Sequence, residues 1–359
     1  MRILALEPYY GGSHKAFIDG WSQASRHDFT ILGLPPYKWK WRMRHSALTF
    51  AEQVNERVAG GETVDRLFAS SMLNLAEFKG LVDPVIAALP TVIYFHENQL
   101  TYPVQEERER DLHFAFTNLT TALAANQVWW NSAFHRDDYL AAKTRFLRRM
   151  PDHAPTNAVE QIREKSQVQY PGIHPIPATT HTDQPCHILW CARFEHDKNP
   201  ALFFDALKEI ASMPFRLSVI GEEFENAPDV FAEAKKRFAD RIVHWGYQES
   251  REAYERVLQE ADIVVSTADH EFFGIGIVEA VAAGCYPMLP DRLAYPEVID
   301  KARNPDCFYD GTREGLVACL RDVLDRPRPD LSAQMAPYYW SNRATAMDDA
   351  IKASVVNDD

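Results

Sequence analysis

The sequence predicts an α/β protein of two doubly wound parallel sheets facing across a cleft, and three observations carry that expectation. Short β-branched or aromatic runs alternate with helical stretches. The alternation stops at a polar, proline-containing segment near the middle and then begins again. A length of 359 residues gives each half enough chain to bury its own core.

In the first half, residues 2–6, 29–32, 92–95 and 127–130 read as strands, with helices over 107–124 and 132–146. Strands separated by helices pair in parallel, and the helices cover both faces of the sheet. Residues 170–185 break the pattern with four prolines' worth of turn chemistry spread through a polar stretch. Four more strands follow at 187–192, 216–221, 242–245 and 261–266. The tail begins with an aromatic anchor at 337–340 and continues as a helix over 342–355. The expected domains are therefore 1–176, onto which a C-terminal helix within 337–359 crosses back, and 177–336. Open α/β sheets bind ligands beyond the carboxyl ends of their strands, so a ligand is expected in the cleft between the two units.

Composition narrows the class. The chain is 46% hydrophobic and 25% charged, as ordinary globular proteins are. No apolar run approaches the ~20 residues of a membrane span, and Glu7 interrupts the N-terminal apolar run too early for a signal peptide, so a cytoplasmic protein with no membrane partner is expected. The five cysteines (186, 191, 285, 307 and 319) show no C-x-x-C spacing, which predicts reduced core thiols rather than a disulfide frame or a zinc site. The net charge of −13 is unevenly spread: residues 1–176 carry 19 basic and 19 acidic side chains, and the remainder 19 and 32. An anionic partner therefore belongs with the first half.

Five segments carry chemistry. In His270–Ala280, Glu271 and Glu279 stand eight residues apart, just after a strand. A helix starting near Gly274 leaves Glu271 in the preceding loop and Glu279 about one and a half turns inside. The amides at Phe273, Gly274 and Ile275 would then face a diphosphate, and the carboxylates would accept bonds from sugar hydroxyls. Arg193 and Lys198 form an R-x4-K at the end of the first C-terminal strand, suited to neutralising a departing phosphate. Gly11, Gly12 and Ser13 turn directly after the first strand and match neither G-x-G-x-x-G nor a P-loop, yet they allow a sugar or phosphate close to the backbone. His96, Glu97, Asn98 and Gln99 end another strand with four polar side chains in a row, costly to bury for packing alone; His96 suits a donor sugar, and the other three hold the acceptor or shape the cleft.

The fifth segment, 37–45, alternates basic with mostly aromatic residues. Read as an extended ribbon, it turns Lys38, Lys40, Arg42 and Arg44 to one side and Trp39, Trp41 and Met43 to the other, a grip for a phosphate backbone and an unpaired base. An edge strand with solvated lysines is the plainer alternative. Lys143, Arg145, Arg148 and Arg149 add a second basic cluster at a helix end.

The C-terminal motifs resemble retaining GT-B glycosyltransferases, which have two Rossmann-like domains, of the glycogen synthase and phosphatidylinositol mannosyltransferase type. More narrowly, Tyr9-Tyr10-Gly11-Gly12-Ser13-His14-Lys15, Lys38-Trp39-Lys40-Trp41-Arg42, Leu67-Phe68-Ala69-Ser70-Ser71-Met72-Leu73-Asn74-Leu75, Tyr94-Phe95-His96-Glu97-Asn98-Gln99-Leu100, Arg193-Phe194-Glu195-His196-Asp197-Lys198 and His270-Glu271-Phe272-Phe273-Gly274 are similar to the tRNA-queuosine α-mannosyltransferase family. That resemblance implies transfer of mannose from GDP-mannose to the cyclopentenediol of queuosine in tRNA-Asp with retention. It implies that Arg193 and Lys198 hold the diphosphate, Glu279 the ribose and Glu271 the sugar hydroxyls, with His96 and the Gly11–Gly12 turn at the reacting centre and His14 and 38–42 on the acceptor side. No tightly bound cofactor and no metal are expected. The alternatives are the same donor chemistry on a lipid-linked or soluble glycan, a non-catalytic RNA-binding module, or a nucleotide-sugar epimerase.

Overall fold

In the first half the central strands divide their side chains between two faces, and each face has its own core. Ile3 and Ala5 of β1 (Arg2–Glu7) join Phe17, Trp21, Tyr94 and Trp129 on one side, while Leu4 and Leu6 join Phe50, Phe95, Trp130 and Tyr139 on the other. A period of two with both faces apolar is what a parallel sheet between helix layers demands. The computed structural model describes residues 1–103, 111–179, 185–224 and 227–353.

The first unit comprises residues 1–172 and the helix that starts at Trp340; the second comprises 173–339. In chain order the first contains β1, α1 (Gly12–Ala24), β2 (Asp28–Gly33), α2 (Trp39–Ala59), β3 (Arg66–Ser70), α3 (Leu75–Leu81), α4 (Pro84–Ala87), β4 (Thr91–Phe95), α5 (Leu112–Ala124), β5 (Gln127–Trp130), α6 (Ala133–Leu147), α7 (Ala158–Glu164) and β6 (Ser166–Val168). Its sheet is parallel throughout in the order β2-β1-β3-β4-β5-β6. The second unit contains β7 (His187–Cys191), α8 (Pro200–Glu209), β8 (Arg216–Ile220), α9 (Val230–Arg237), β9 (Ile242–Gly246), α10 (Arg251–Glu260), β10 (Ile263–Val265), α11 (Ile275–Ala282), β11 (Tyr286–Pro290), α12 (Tyr295–Val298), β12 (Phe308–Tyr309) and α13 (Arg313–Asp325). Its parallel order is β12-β11-β10-β7-β8-β9.

Residues 107–110 of the expected first helix, part of the expected mid-chain break, and 354–355 of the expected tail helix lie outside the described residues. Sequence reading left four strands unnamed, each for a local reason. β6 and β12 have three and two residues, β3 opens on a charge, and β11 carries two prolines, which cannot donate to a ladder. β11 nonetheless lies between β10 and β12 with all five residues buried.

The last helix, α14 (Trp340–Ala353), returns to the first unit. Trp340 lies against Gly20 and Gly172, where a methyl group would come within 2.2 and 2.3 Å of the indole. The buried Asp348 accepts from Trp21 Nε1 at 2.9 Å, Ser25 Oγ at 2.7 Å and the Arg26 amide at 2.8 Å. The second basic cluster is divided by burial. Arg145, Arg148 and Arg149 are exposed, but Lys143 lies wholly in the core with Nζ donating to the Ala115 carbonyl at 2.7 Å over the rings of Tyr139 and Phe146. Burial brings its pKa down to about 7.

Candidate active site

In the second unit the site grows from two strand ends. β7 runs through Arg193 into a 3-10 turn, His196–Lys198, and β10 runs through Thr267, His270 and Glu271 to Gly274, which caps α11. The two loops are stitched together by backbone: the amides of Asp269 and His270 donate to the Asp197 carbonyl, and Thr267 Oγ1 donates to the Lys198 carbonyl at 2.8 Å. Lys198 lies at the centre of this knot, 6% exposed. Its Nζ donates to the His270 carbonyl at 2.7 Å and sits 3.0 Å from Asp197 Oδ2 and 3.4 Å from Glu271 Oε2.

A buried ammonium persists only with counter-charges. Burial pulls the Lys198 pKa down, and Glu271 and Asp197 outweigh it, leaving the group above its ordinary value. Burial pushes the Glu271 carboxyl up, and Lys198, followed by His270, the Phe273 amide and Arg193, outweighs it and holds the carboxyl below the usual range. Burial, reinforced by Lys198, brings His270 down to about 4 and keeps it neutral at pH 7. Arg193 is more exposed and paired with Glu195 at 3.1 Å, and its charge reaches both Lys198 and Glu271. Arg193, Lys198 and Glu271 thus share one electrostatic site.

Gly274 makes the turn into α11 at φ 87°, in the left-handed region. A Cβ there would lie 2.9 Å from Tyr295 Cε1. No side chain caps α11, whose first residue is Ile275. The Phe273 amide is directed at Glu271 Oε1, 3.4 Å away, and its ring packs on Tyr338. Glu279 stands apart from the Lys198 knot in the second turn of α11. It is buried, with Arg251 Nη1 donating to Oε1 at 2.7 Å and the Tyr254 hydroxyl to Oε2 at 2.8 Å.

In the first unit, the expected residues after β1 and β4 meet. Gly11 is extended and buried against Pro36, where a Cβ would come within 2.3 Å of Cγ; Gly12 begins α1 facing open space, and Ser13 is exposed. His14, one turn into α1, is stacked on His96 with ring centroids 4.0 Å apart and planes 29° from parallel. Glu97 is half-buried and accepts from Gln99 Nε2, and its charge reaches His14. Asn98, expected to hold the acceptor or shape the cleft, is fully buried, which favours the second role. Its Oδ1 accepts from the amides of Leu100 and Thr101 and its Nδ2 meets Thr101 and His135, so it shapes the loop from inside. Gln99 is likewise buried, its amide donating to Asn118.

The expected ribbon over 37–45 is not extended. Lys38 is left-handed at φ 51° and α2 starts at Trp39, so successive side chains turn by about 100° instead of alternating. Arg42 is buried, its Nε donating to the Pro35 carbonyl at 2.9 Å and its guanidinium lying over the Tyr37 ring and beside His45. Trp39 packs on Phe114 in a cluster with Met43, Met72 and Tyr9. Tyr37, Lys38, Lys40, Trp41 and Arg44 remain exposed.

Residues 2–173 match the family described as tRNA-queuosine alpha-mannosyltransferase N-terminal, and residues 177–339 match Glycosyl transferases group 1. A tRNA-queuosine alpha-mannosyltransferase of Drosophila melanogaster is 40% identical over 314 residues, spanning 83% of this chain and 82% of the fly protein. The chain belongs to the tRNA-queuosine α-mannosyltransferase family. Among solved structures, sucrose-phosphate synthase of Thermosynechococcus elongatus superposes with a TM-score of 0.73 at 12% identity, covering 98% of this chain and 99% of that one. Anabaena HepE, solved with UDP and glucose, gives 0.65 at 15%, covering 99% of each. These likenesses show the fold, GT-B, and the family membership makes the protein a glycosyltransferase.

In this member of the mannosyltransferase family, several site residues were not singled out by sequence reading. Asp197 was legible in principle, being the acid next to the lysine of R-x4-K. Arg251 and Tyr254 carried no local signal, because each meets Glu279 only in the folded unit, and Glu7 reads as the last residue of a strand although it meets His14 just across the turn into α1. Among the described residues, Glu7, His14 and His96 bring potential metal-ligating atoms within 4.8 Å of one another. Two of these three groups are the stacked imidazoles, whose ring centroids lie 4.0 Å apart.

Proposed function

We propose that the protein transfers mannose from GDP-mannose to the cyclopentenediol of queuosine in tRNA-Asp, with retention at the anomeric carbon. The family membership supports the acceptor, and the observation that carries the chemistry is the buried Lys198 ammonium, held charged beside Glu271. In this reading Arg193 and Lys198 neutralise the diphosphate as the C1–O bond to phosphate breaks. The acceptor oxygen bonds to C1 on the same face, and its proton passes to the departing phosphate oxygen, so no protein nucleophile is needed. Charge that develops on the leaving group is met by a cation already desolvated, which is where electrostatic catalysis gains most.

Glu271 would accept from the sugar hydroxyls and Glu279 from the ribose, its carboxylate oriented by Arg251 and Tyr254. Gly274 and Ile275 in the second unit would offer backbone amides to the diphosphate, and in the first unit Gly12 and Ser13 would offer backbone to the donor and His96 a hydrogen bond to the sugar. The exposed Lys38, Lys40, Trp41, Tyr37 and Arg44 at the start of α2 form the acceptor surface, as phosphate contacts and a stacking platform. The reaction occurs in the cytoplasm with no resident cofactor and no metal.

The test supplies labelled GDP-mannose with tRNA that carries queuosine and with tRNA that lacks it, each with and without EDTA. Label enters only the queuosine-containing tRNA and is unchanged by chelation. Label entering neither RNA, or entering a lipid or soluble glycan instead, overturns the acceptor; loss of transfer with EDTA overturns the metal-free reading.

A further inference from the structure

The first unit contains a carboxylate–imidazole–imidazole array, of which the donor chemistry above uses only His96. Glu7 closes β1, 3% exposed; its Oε1 accepts from Ser70 Oγ and the Tyr9 amide, each at 2.9 Å, and stands at ion-pair distance, 3.2 Å, from His14 Nδ1, which makes no hydrogen bond to it. His14 is buried, and its ring is stacked on His96. Tyr9 meets the edge of His14; Phe17 and Tyr94 meet His96 edge-on, fixing the second ring in place. We propose that Glu7 is a positioning residue that keeps His14 as an imidazolium stacked on a neutral His96, so that the pair carries one proton charge beside the glycine turn.

Geometry makes the charges exclusive. Two rings 4.0 Å apart, His14 buried and His96 half-buried, cannot both be cationic without strong repulsion, and His14 is the ring at ion-pair distance from a carboxylate. The groups facing the pair agree. For His14, burial opposes the charge, but Glu7 and then Glu97 outweigh it and raise its pKa. For His96, burial, His14 and His135 of α6 all act in one direction and take its pKa well below the ordinary value. A neutral imidazole can both donate and accept a hydrogen bond, whereas an imidazolium only donates, so assigning the proton to His14 leaves His96 able to take either role toward a sugar hydroxyl.

The functional consequence rests on the mannosyl-transfer reading; the protonation pattern does not. Histidine ring-proton NMR on the full chain, with the two signals assigned by His14→Gln and His96→Gln, tests the pattern first. His14 is expected to titrate above pH 6.5 and His96 to stay neutral at pH 6; in Glu7→Gln the His14 midpoint falls by at least one pH unit. In the transfer assay Glu7→Gln then lowers kcat between the two measured His14 midpoints with KM for GDP-mannose within twofold, and the alkaline limb of its pH profile moves to lower pH. Glu7→Asp, which keeps the charge, recovers the limb, and Ser70→Ala, which removes only a hydrogen bond, leaves it in place. An unmoved His14 midpoint in Glu7→Gln, or His96 as the ring that holds the proton, overturns the proposal. If wild-type protein transfers no mannose, the functional reading fails, and the NMR titration still decides the pair.

Discussion

Lys198 shows how one side chain can be both a folding liability and the reason for a site. Its ammonium is desolvated among Asp197, Glu271 and the His270 carbonyl, and the protein tolerates the cost because all three acceptors come from loops already tied together by backbone. Lys198→Ala is expected to lower kcat/KM by about 10²–10³, or ~3–4 kcal/mol of transition-state stabilisation. The dissociation constant for tRNA should stay within twofold in the same preparation; joint loss of both would mark a structural residue. Gly274→Ala forces a Cβ into the left-handed region against Tyr295, and a loss of about 1–3 kcal/mol in chemical denaturation is expected. At this scale the sequence was readable wherever partners were neighbours in the chain, as with R-x4-K and the paired glutamates. It was silent where a partner comes from another element: Glu7 ends β1 and meets His14 of α1, and Arg251 begins α10 and meets Glu279 of α11.

At the level of the element, α2 carries the clearest lesson. Seven residues that alternate a charge with a tryptophan or methionine satisfy a period of two, yet Pro35 and Pro36 precede a helix, and the apolar positions Met43, Ala47, Phe50 and Val54 continue at helical spacing. The longer period wins because it buries more surface. Winding the segment into a helix divides its cations by role. Lys38→Glu with Lys40→Glu is expected to weaken tRNA binding and to reduce the slope of log K against log salt by ~2, since each charge removed releases about one fewer counterion. Arg42→Ala, by contrast, removes a buried guanidinium stacked on Tyr37 and should lower Tm while leaving the salt slope within error. A slope changed equally by Arg42→Ala would contradict the burial.

For the whole molecule, charge and connectivity divide differently. The net −13 belongs to residues 177–359, which leaves residues 1–176 neutral and free to meet an anionic partner without long-range repulsion of their own. The two-unit plan was readable from the restart of the strand pattern, and the aromatic anchor at 337–340 marked the return of the tail. Which aromatic did the anchoring was not readable, because the seat is made by the absence of side chains at Gly20 and Gly172. Asp348→Ala would leave the Trp21 indole N–H, the Ser25 hydroxyl and the Arg26 amide without their acceptor, and urea denaturation should register a loss of about 2–4 kcal/mol. A loss below ~0.5 kcal/mol would mean that water replaces the carboxylate at no cost.

The partnership of Trp21 with Asp348, 327 residues apart, also orders events at the ribosome. Residues 173–339 are contiguous and have everything they need once residue 339 leaves the exit tunnel, whereas the half made first must wait for the stretch made after it. Vectorial synthesis normally lets the leading domain finish first; here the order is inverted. Nascent chains arrested with residue 339 exposed should yield a protease-resistant fragment from the trailing half, while the leading half is still digested.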